Sequence, residues 1–267
     1  MLLTSENYYS REANEEYLSV SQYKDFMGTY GKPGCEEYAL AKLNGTWVEN
    51  MEDSPALMMG SYVDAHFEGT LDLFKAQHSC MFKKDGNLKA DYIKANEMIN
   101  RCERDALFMQ YMSGEKQVIM TADMFGAKWK IKIDSYHPGK CIVDLKTCQG
   151  IKKIFPHHDI GFLNFLGEWG YYIQGAVYQK VVEINTGKKL PFFIAAISKE
   201  KVADIELIAV EQSLLDEALT EVEHNTPAIL MLKNGETKPI RCEVCDYCKA
   251  TKVLTKPIWS SELIGEG

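Results

Sequence analysis

The chain has 267 residues, 46% of them apolar and 25% charged, with a formal net charge of −8 and a pI near 5.4. This usage excludes a largely disordered protein, and no apolar run approaches the roughly 20 residues that span a bilayer. The opening MLLTSENYYSREANEE has neither a basic n-region nor an apolar h-region, so a soluble, cytoplasmic protein is expected. The acidic balance speaks against a partner lined with phosphates unless basic residues or a divalent cation are concentrated locally.

Residues 17–27, YLSVSQYKDFM, offer Ser19 or Ser21 as an N-cap before an amphipathic helix, and CEEYALAKLNG (35–45) predicts a second helix stopped at Asn44-Gly45. ALMMGSYVDAHFEG (56–69) continues helical, and ADYIKANEMINRCERDALFMQYM (90–112) predicts one long amphipathic helix. From Gly114 the period changes to two. Residues 115–148 predict a three-stranded antiparallel meander, with turns at Met124-Phe125-Gly126 and His137-Pro138-Gly139. Helical spacing returns over 164–184, strands are predicted over 190–199 and 203–210, and a helix over 211–230. Together these describe one α/β domain with a mixed sheet flanked by helices: a helical part over 1–113, a sheet with its helix over 114–210, and a C-terminal helix and tail over 211–267. Three local basic stripes, 83–89, 128–132 and 146–153, answer the acidic net charge.

Alternation in KWKIKID sends Trp129, Ile131 and Ile133 to one face and Lys128, Lys130, Lys132 and Asp134 to the other. In CIVDLKT it sets Asp144 and Lys146 opposite Val143 and Leu145. A turn centred on Gly139 then places Asp134 directly across from Asp144. Two facing carboxylates are destabilising unless a positive charge sits between them, and a hard divalent cation such as Mg²⁺, with Mn²⁺ as a substitute, supplies it. Lys146 points at the same spot. Carboxylates, a cation and an ammonium are the equipment of phosphodiester hydrolysis.

The pattern Asp134-(x9)-Asp144-Leu-Lys146 resembles the PD-(D/E)XK nuclease signature and so implies a restriction-endonuclease-like core. Glu115 matches the acidic residue that this superfamily often places beside the metal. Gln174 and Tyr178 resemble the Q-x-x-x-Y of its RecB-like and RecE-like branches, and their four-residue spacing puts them on one helix face. Gly60-x-x-x-Asp64 resembles G-x-x-x-H, with a carboxylate in place of the histidine ligand. His66 lies about 200° further round the helix and is the alternative. The resemblance implies Asp64, Asp134, Asp144 and the Leu145 carbonyl as metal ligands. It is strongest to phage and prophage RecE-like exonucleases, which implies Mg²⁺-dependent 5′ to 3′ digestion of double-stranded DNA ends for recombination. It further implies a RecT-type annealing partner, a ring-shaped homo-oligomer and a bacterial host cytoplasm. An endonuclease or nickase on the same core, or a silent DNA-binding scaffold, are the alternative functions.

Cys242, Cys245 and Cys248 form C-x2-C-x2-C, three thiolates able to converge on a soft metal. The eight cysteines otherwise lack ligand spacing and, without a leader, do not suggest a disulfide framework. Resemblance to iron–sulfur nucleases of the AddB type implies Cys35 as a fourth ligand and a [4Fe–4S] cluster, although those relatives space the last pair C-x5-C. Zn²⁺ and free thiols are the alternatives.

Overall fold

The computed structural model describes residues 1–263. Its helices are α1 (Arg11–Glu16), α2 (Val20–Met27), α3 (Glu36–Leu43), α4 (Pro55–Glu68), α5 (Leu71–Gln77), α6 (Ala90–Glu103) and α7 (Ala106–Tyr111) before the main sheet. Then come α8 (Phe165–Glu168), α9 (Tyr171–Thr186), α10 (Gln212–Lys233) and α11 (Asp246–Ala250). Strands β1 (Gly28–Thr29) and β2 (Lys32–Pro33) form a small hairpin, as do β6 (Phe155–His157) and β7 (Gly161–Leu163). The main sheet consists of β3 (Glu115–Met124), β4 (Ala127–His137), β5 (Cys141–Cys148), β8 (Phe192–Ser198) and β9 (Ile205–Ala209), in that spatial order. Only β5 and β8 run parallel, joined by the crossover through α9. The expected mixed sheet flanked by helices is therefore present.

Ser19 caps α2 through the Gln22 amide, and Gly69 ends α4 in the left-handed region. Two segments read as continuous helices are broken. Asp105 stops the 90–112 run and caps α7 by accepting from the Phe108 N–H, a local bond that competes with continuation of α6. Gly170, at φ 63°, separates α8 from α9.

The sheet has a core on each face. On one side α2, α9 and α10 cover Trp129, Ile131, Ile142, Phe192 and Ile194; on the other α4, α6 and α7 cover Val143, Leu145, Ala195 and Ile197. α9 comes unusually close to its layer because position 175 is glycine. A Cβ there would stand 2.6 Å from the Phe192 ring and 2.8 Å from Leu215.

The β4–β5 register is the one expected from a turn at Gly139, with Ser135 opposite Val143 and Tyr136 opposite Ile142. The ladder stops there. Further along, β4 pairs instead with Leu18, whose N–H donates to the Lys128 carbonyl at 2.7 Å and whose carbonyl accepts from Lys130 at 2.9 Å. The strands thus fork at Asp134. Alternation slips at the fork: Ile133 and Tyr136 lie in the same core, and Gln117, beside Asp134 on β3, has φ 53°.

Candidate active site

A fork between strands leaves backbone unpaired, and here it opens into a cavity of about 750 Å³. Its walls come from α2, α3, α4, α9, strands β3, β4 and β5 and the N-terminal segment. Asp134 replaces the missing ladder partner. Its Oδ2 accepts from the Leu145 N–H at 2.9 Å, so the carboxylate is fixed on the neighbouring strand instead of facing its mate across a regular pair. Gln117 Nε2 stands 3.4 Å from Oδ1. Asp144 is 2% exposed. Its Oδ1 accepts from Gln174 Nε2 at 2.6 Å, and Lys146 Nζ lies 2.5 Å from its Oδ2. That Oδ2 is buried with no hydrogen-bond donor aligned on it.

The third carboxylate comes from the opposite layer. Gly60, Asp64 and Glu68 follow one another at four-residue intervals, so one face of α4 lines the cavity with all three. A Cβ on Gly60 would meet the Thr147 hydroxyl at 3.2 Å, and its absence lets α4 lie close to β5. His66 is turned away to Glu103 Oε1 at 2.9 Å, which leaves Asp64 as the residue of this pair that faces the cavity.

Burial and the proximity of Asp134 hold Asp64 well above the usual carboxylate range. Burial pushes Asp144 up to about 7, against the opposing pull of Lys146. Lys146 is itself buried, which disfavours its charge, but the Asp144 carboxylate outweighs this and raises it. Two of the three carboxylates are therefore biased towards their protonated form, and a bound cation would favour ionisation of both. The oxygen-only donor set and the unaligned Oδ2 of Asp144 suit a hard divalent ion.

Tyr178 joins Gln174 in supporting the strands: its hydroxyl donates to the Lys132 carbonyl at 3.1 Å, on the stretch of β4 that pairs with β3 but has left β5. Both act through the strands, one holding a carboxylate and the other a backbone carbonyl. Lys146 also lies over the Tyr171 ring, 5.1 Å from its centroid.

Glu115 requires a correction. It is exposed, pairs with Tyr136 beyond the fork, and does not line the cavity; Gln117, two residues on, does. The fork sits at the level of Asp134, and β3 reaches that level at Gln117. The basic stripes divide similarly. Lys130, Lys132 and Lys146 line the cavity, whereas no residue of 83–89 does. Altogether six lysines and five acids line it, so the cavity is locally basic in a chain of charge −8. Lys130 is committed to structure: its Nζ donates to the Tyr8 carbonyl at 2.5 Å and to Asn14 Oδ1 at 2.8 Å, tying the N-terminal segment to β4. Residues that the sequence reading passed over include Glu68, legible as the next step of the Gly60–Asp64 spacing, and Tyr8, Tyr9 and Lys24, whose arrival depends on the path of the N-terminal segment.

A model of the PDDEXK-like domain of unknown function DUF3799 matches residues 19–251. The chain belongs to this PDDEXK-like family. A crystal structure at 2.19 Å of a protein from Eubacterium rectale, provisionally described as an exonuclease, matches with a TM-score of 0.95 and 56% sequence identity, covering 100% of this chain and 99% of that one. Among curated proteins none matches significantly.

The family match ends just beyond the cysteines. Cys35, Cys242, Cys245 and Cys248 come together, with all four sulfurs within 4.8 Å of one another. Cys35 Sγ lies 3.6 Å from Cys248 Sγ, and Cys242 Sγ lies 3.9 Å from it. The cluster joins the start of α3 to the C-terminal tail, and none of its four cysteines lines the cavity.

Proposed function

We propose that this chain is a divalent-metal-dependent deoxyribonuclease that hydrolyses phosphodiester bonds at the ends of double-stranded DNA. The observation that carries the reading is the convergence of Asp64, Asp134, Asp144 and Lys146 in one basic crevice, with Lys146 Nζ 2.5 Å from the buried Oδ2 of Asp144. Asp64, Asp134, Asp144 and the Leu145 carbonyl would hold Mg²⁺, with Mn²⁺ as a substitute. When bound, the cation supplies a lowered pKa for water and charge stabilisation for the phosphoryl oxygens.

The chain's own residues do the rest. Lys146, held charged against Asp144, places a fixed ammonium where negative charge develops on the phosphorus, and its hydrogens can orient the attacking water. Gln174 keeps Asp144 in one rotamer and donates to its ionised form. Tyr178 holds the Lys132 carbonyl and so fixes the stretch of β4 that has left β5. At the mouth, Tyr9 is 69% exposed, and Lys132 Nζ lies over its ring at 4.8 Å. An exposed aromatic ring beside an ammonium is a platform for one unstacked base and its phosphate.

The E. rectale protein, described provisionally as an exonuclease, supports action at ends. Directionality from 5′ to 3′, production of single strands for recombination, a RecT-type partner and a ring-shaped homo-oligomer belong to the same reading through the RecE-like motifs. The test is incubation of linear and closed circular duplex of one sequence with Mg²⁺. Nucleotide release from the linear form with the circle intact supports the reading. Nicking of the circle at a comparable rate would assign an endonuclease.

A further inference from the structure

The cysteine cluster plays no part in phosphodiester hydrolysis, and its dimensions discriminate between the centres that four thiolates can hold. A single ion bound by four thiolates at about 2.3 Å sets its sulfurs at the corners of a tetrahedron with edges of about 3.8 Å. A [4Fe–4S] cluster places its thiolates outside a box of eight atoms and holds their sulfurs more than about 6 Å apart. Here the two closest approaches are 3.6 and 3.9 Å, and no pair exceeds 4.8 Å. There is room among these sulfurs for one ion and none for a cubane.

We propose that Cys35, Cys242, Cys245 and Cys248 form a mononuclear tetrathiolate site for one Zn²⁺, in place of the iron–sulfur cluster that the AddB-type resemblance implies. The short final spacing favours this. In C-x2-C-x2-C, the Cys245 N–H donates to Cys242 Sγ at 3.3 Å and the Cys248 N–H to Cys245 Sγ at 3.4 Å. Each C-x2-C step therefore turns tightly and aims its amide at the preceding sulfur, a donation that a metal-bound thiolate can accept. The fourth sulfur belongs to Cys35, the N-cap residue of α3.

The site also has a visible mechanical purpose. Cys35 and Cys248 are 213 residues apart in sequence. Beside them the tail makes a few polar contacts with the N-terminal part, among them Ile240 N–H to Glu36 at 2.7 Å and Arg241 to Glu37 at 2.7 Å. Both Arg241 and Glu37 are partly exposed, and such pairs contribute little. A bound ion would pin the tail to α3, whose residues Ala39, Lys42 and Leu43 form part of the cavity wall.

The test uses the full chain, expressed with both iron and zinc supplied and purified without oxygen. The expected protein contains one zinc per chain, no acid-labile sulfide and no broad absorbance near about 400 nm. Titration with an organomercurial should release that zinc as four thiols react, and growth on cobalt should give the visible bands of a tetrahedral tetrathiolate. Cys245→Ser should lose the zinc, whereas Asp144→Asn should keep it. If Cys245→Ser fails to fold, the mercurial release from wild type decides. Iron and sulfide at about four each per chain, eight freely titrating thiols without metal, a Cys35–Cys248 disulfide, or zinc lost with Asp144→Asn would each overturn the proposal. None of these readouts depends on nuclease activity.

Discussion

Gln174→Leu isolates the role of the glutamine, because the leucine fills similar volume on α9 and removes one interaction. The lost bond is the 2.6 Å donation to Asp144 Oδ1, between side chains that are 8% and 2% exposed. A hydrogen bond to a charged group is worth about 1.5–3 kcal/mol net, and its loss falls on the ionised form of Asp144, which is the form that ligates a cation. The Asp144 carboxyl, already raised to about 7 by burial, rises further. Proton and cation compete for the same oxygens, so the Mg²⁺ concentration for half-maximal rate should increase by about 10- to 160-fold, at roughly 1.4 kcal/mol per decade. At saturating Mg²⁺ the maximal rate should recover to within about tenfold of wild type, and the defect should deepen as pH falls. The assay is the initial rate on linear duplex across a Mg²⁺ series at two pH values. An unchanged Mg²⁺ half-saturation, with the loss confined to the maximal rate, would refute the view that Gln174 works through Asp144.

Asp64 and Asp144 bind protons more tightly folded than unfolded, so the metal-free protein should lose stability as pH rises from about 4 through about 7. Mg²⁺ at a fixed concentration of about a hundredfold its Kd at about pH 8 should add roughly 2.7 kcal/mol there, or roughly 5–11 °C in Tm, and less at about pH 5, where protons compete for the same oxygens. Calorimetry at the two pH values checks both signs. Gly175→Val would drive a side chain into Phe192 and Leu215 and should cost about 1–3 kcal/mol, seen as a lower Tm and a lowered rate as α9 moves off the sheet. Tyr9→Ala should weaken binding of a duplex with a single-stranded end by about 5- to 160-fold, the worth of about one stacked base, with Tm unchanged; equal affinity would remove Tyr9 from the DNA path.

The hairpin was legible because its information is local. Alternation, a Gly139 turn and the spacing of Asp134, Asp144 and Lys146 together specify a register, and the strands adopt it. The Gln174–Tyr178 and Gly60–Asp64 pairs were legible through their resemblance to the Q-x-x-x-Y and G-x-x-x-H motifs, and their four-residue interval puts each pair on one helix face. What alternation could not show is the fork. It arises because Leu18, far away in sequence, takes over the outer edge of β4, and no periodicity within β4 records that competition. From the fork follow the binding of Asp134 to the Leu145 amide, the slip in facing at Asp134, and the replacement of Glu115 by Gln117 at the site. Lys130 shows the same limit: its place in an alternating basic stripe predicts solvent, yet the N-terminal segment folds over it and its ammonium is satisfied by Tyr8 and Asn14. The breaks at Asp105 and Gly170 carried local signals, a capping side chain and a glycine, that the longer helical periodicity masked.

The central claim is that Asp134, Asp144 and Lys146 hydrolyse DNA with a divalent cation. Its most direct test is single-turnover digestion of a linear duplex labelled at one 5′ end, comparing wild type with Asp134→Asn, Asp144→Asn and Lys146→Met in Mg²⁺. Wild type should release label in Mg²⁺ and not in EDTA, and each variant should lose at least about 10²–10³ in rate, the scale of removing one transition-state charge contact, while keeping its circular dichroism spectrum. Absence of Mg²⁺- or Mn²⁺-dependent cleavage by wild type, or a variant within about tenfold of it, would contradict the account.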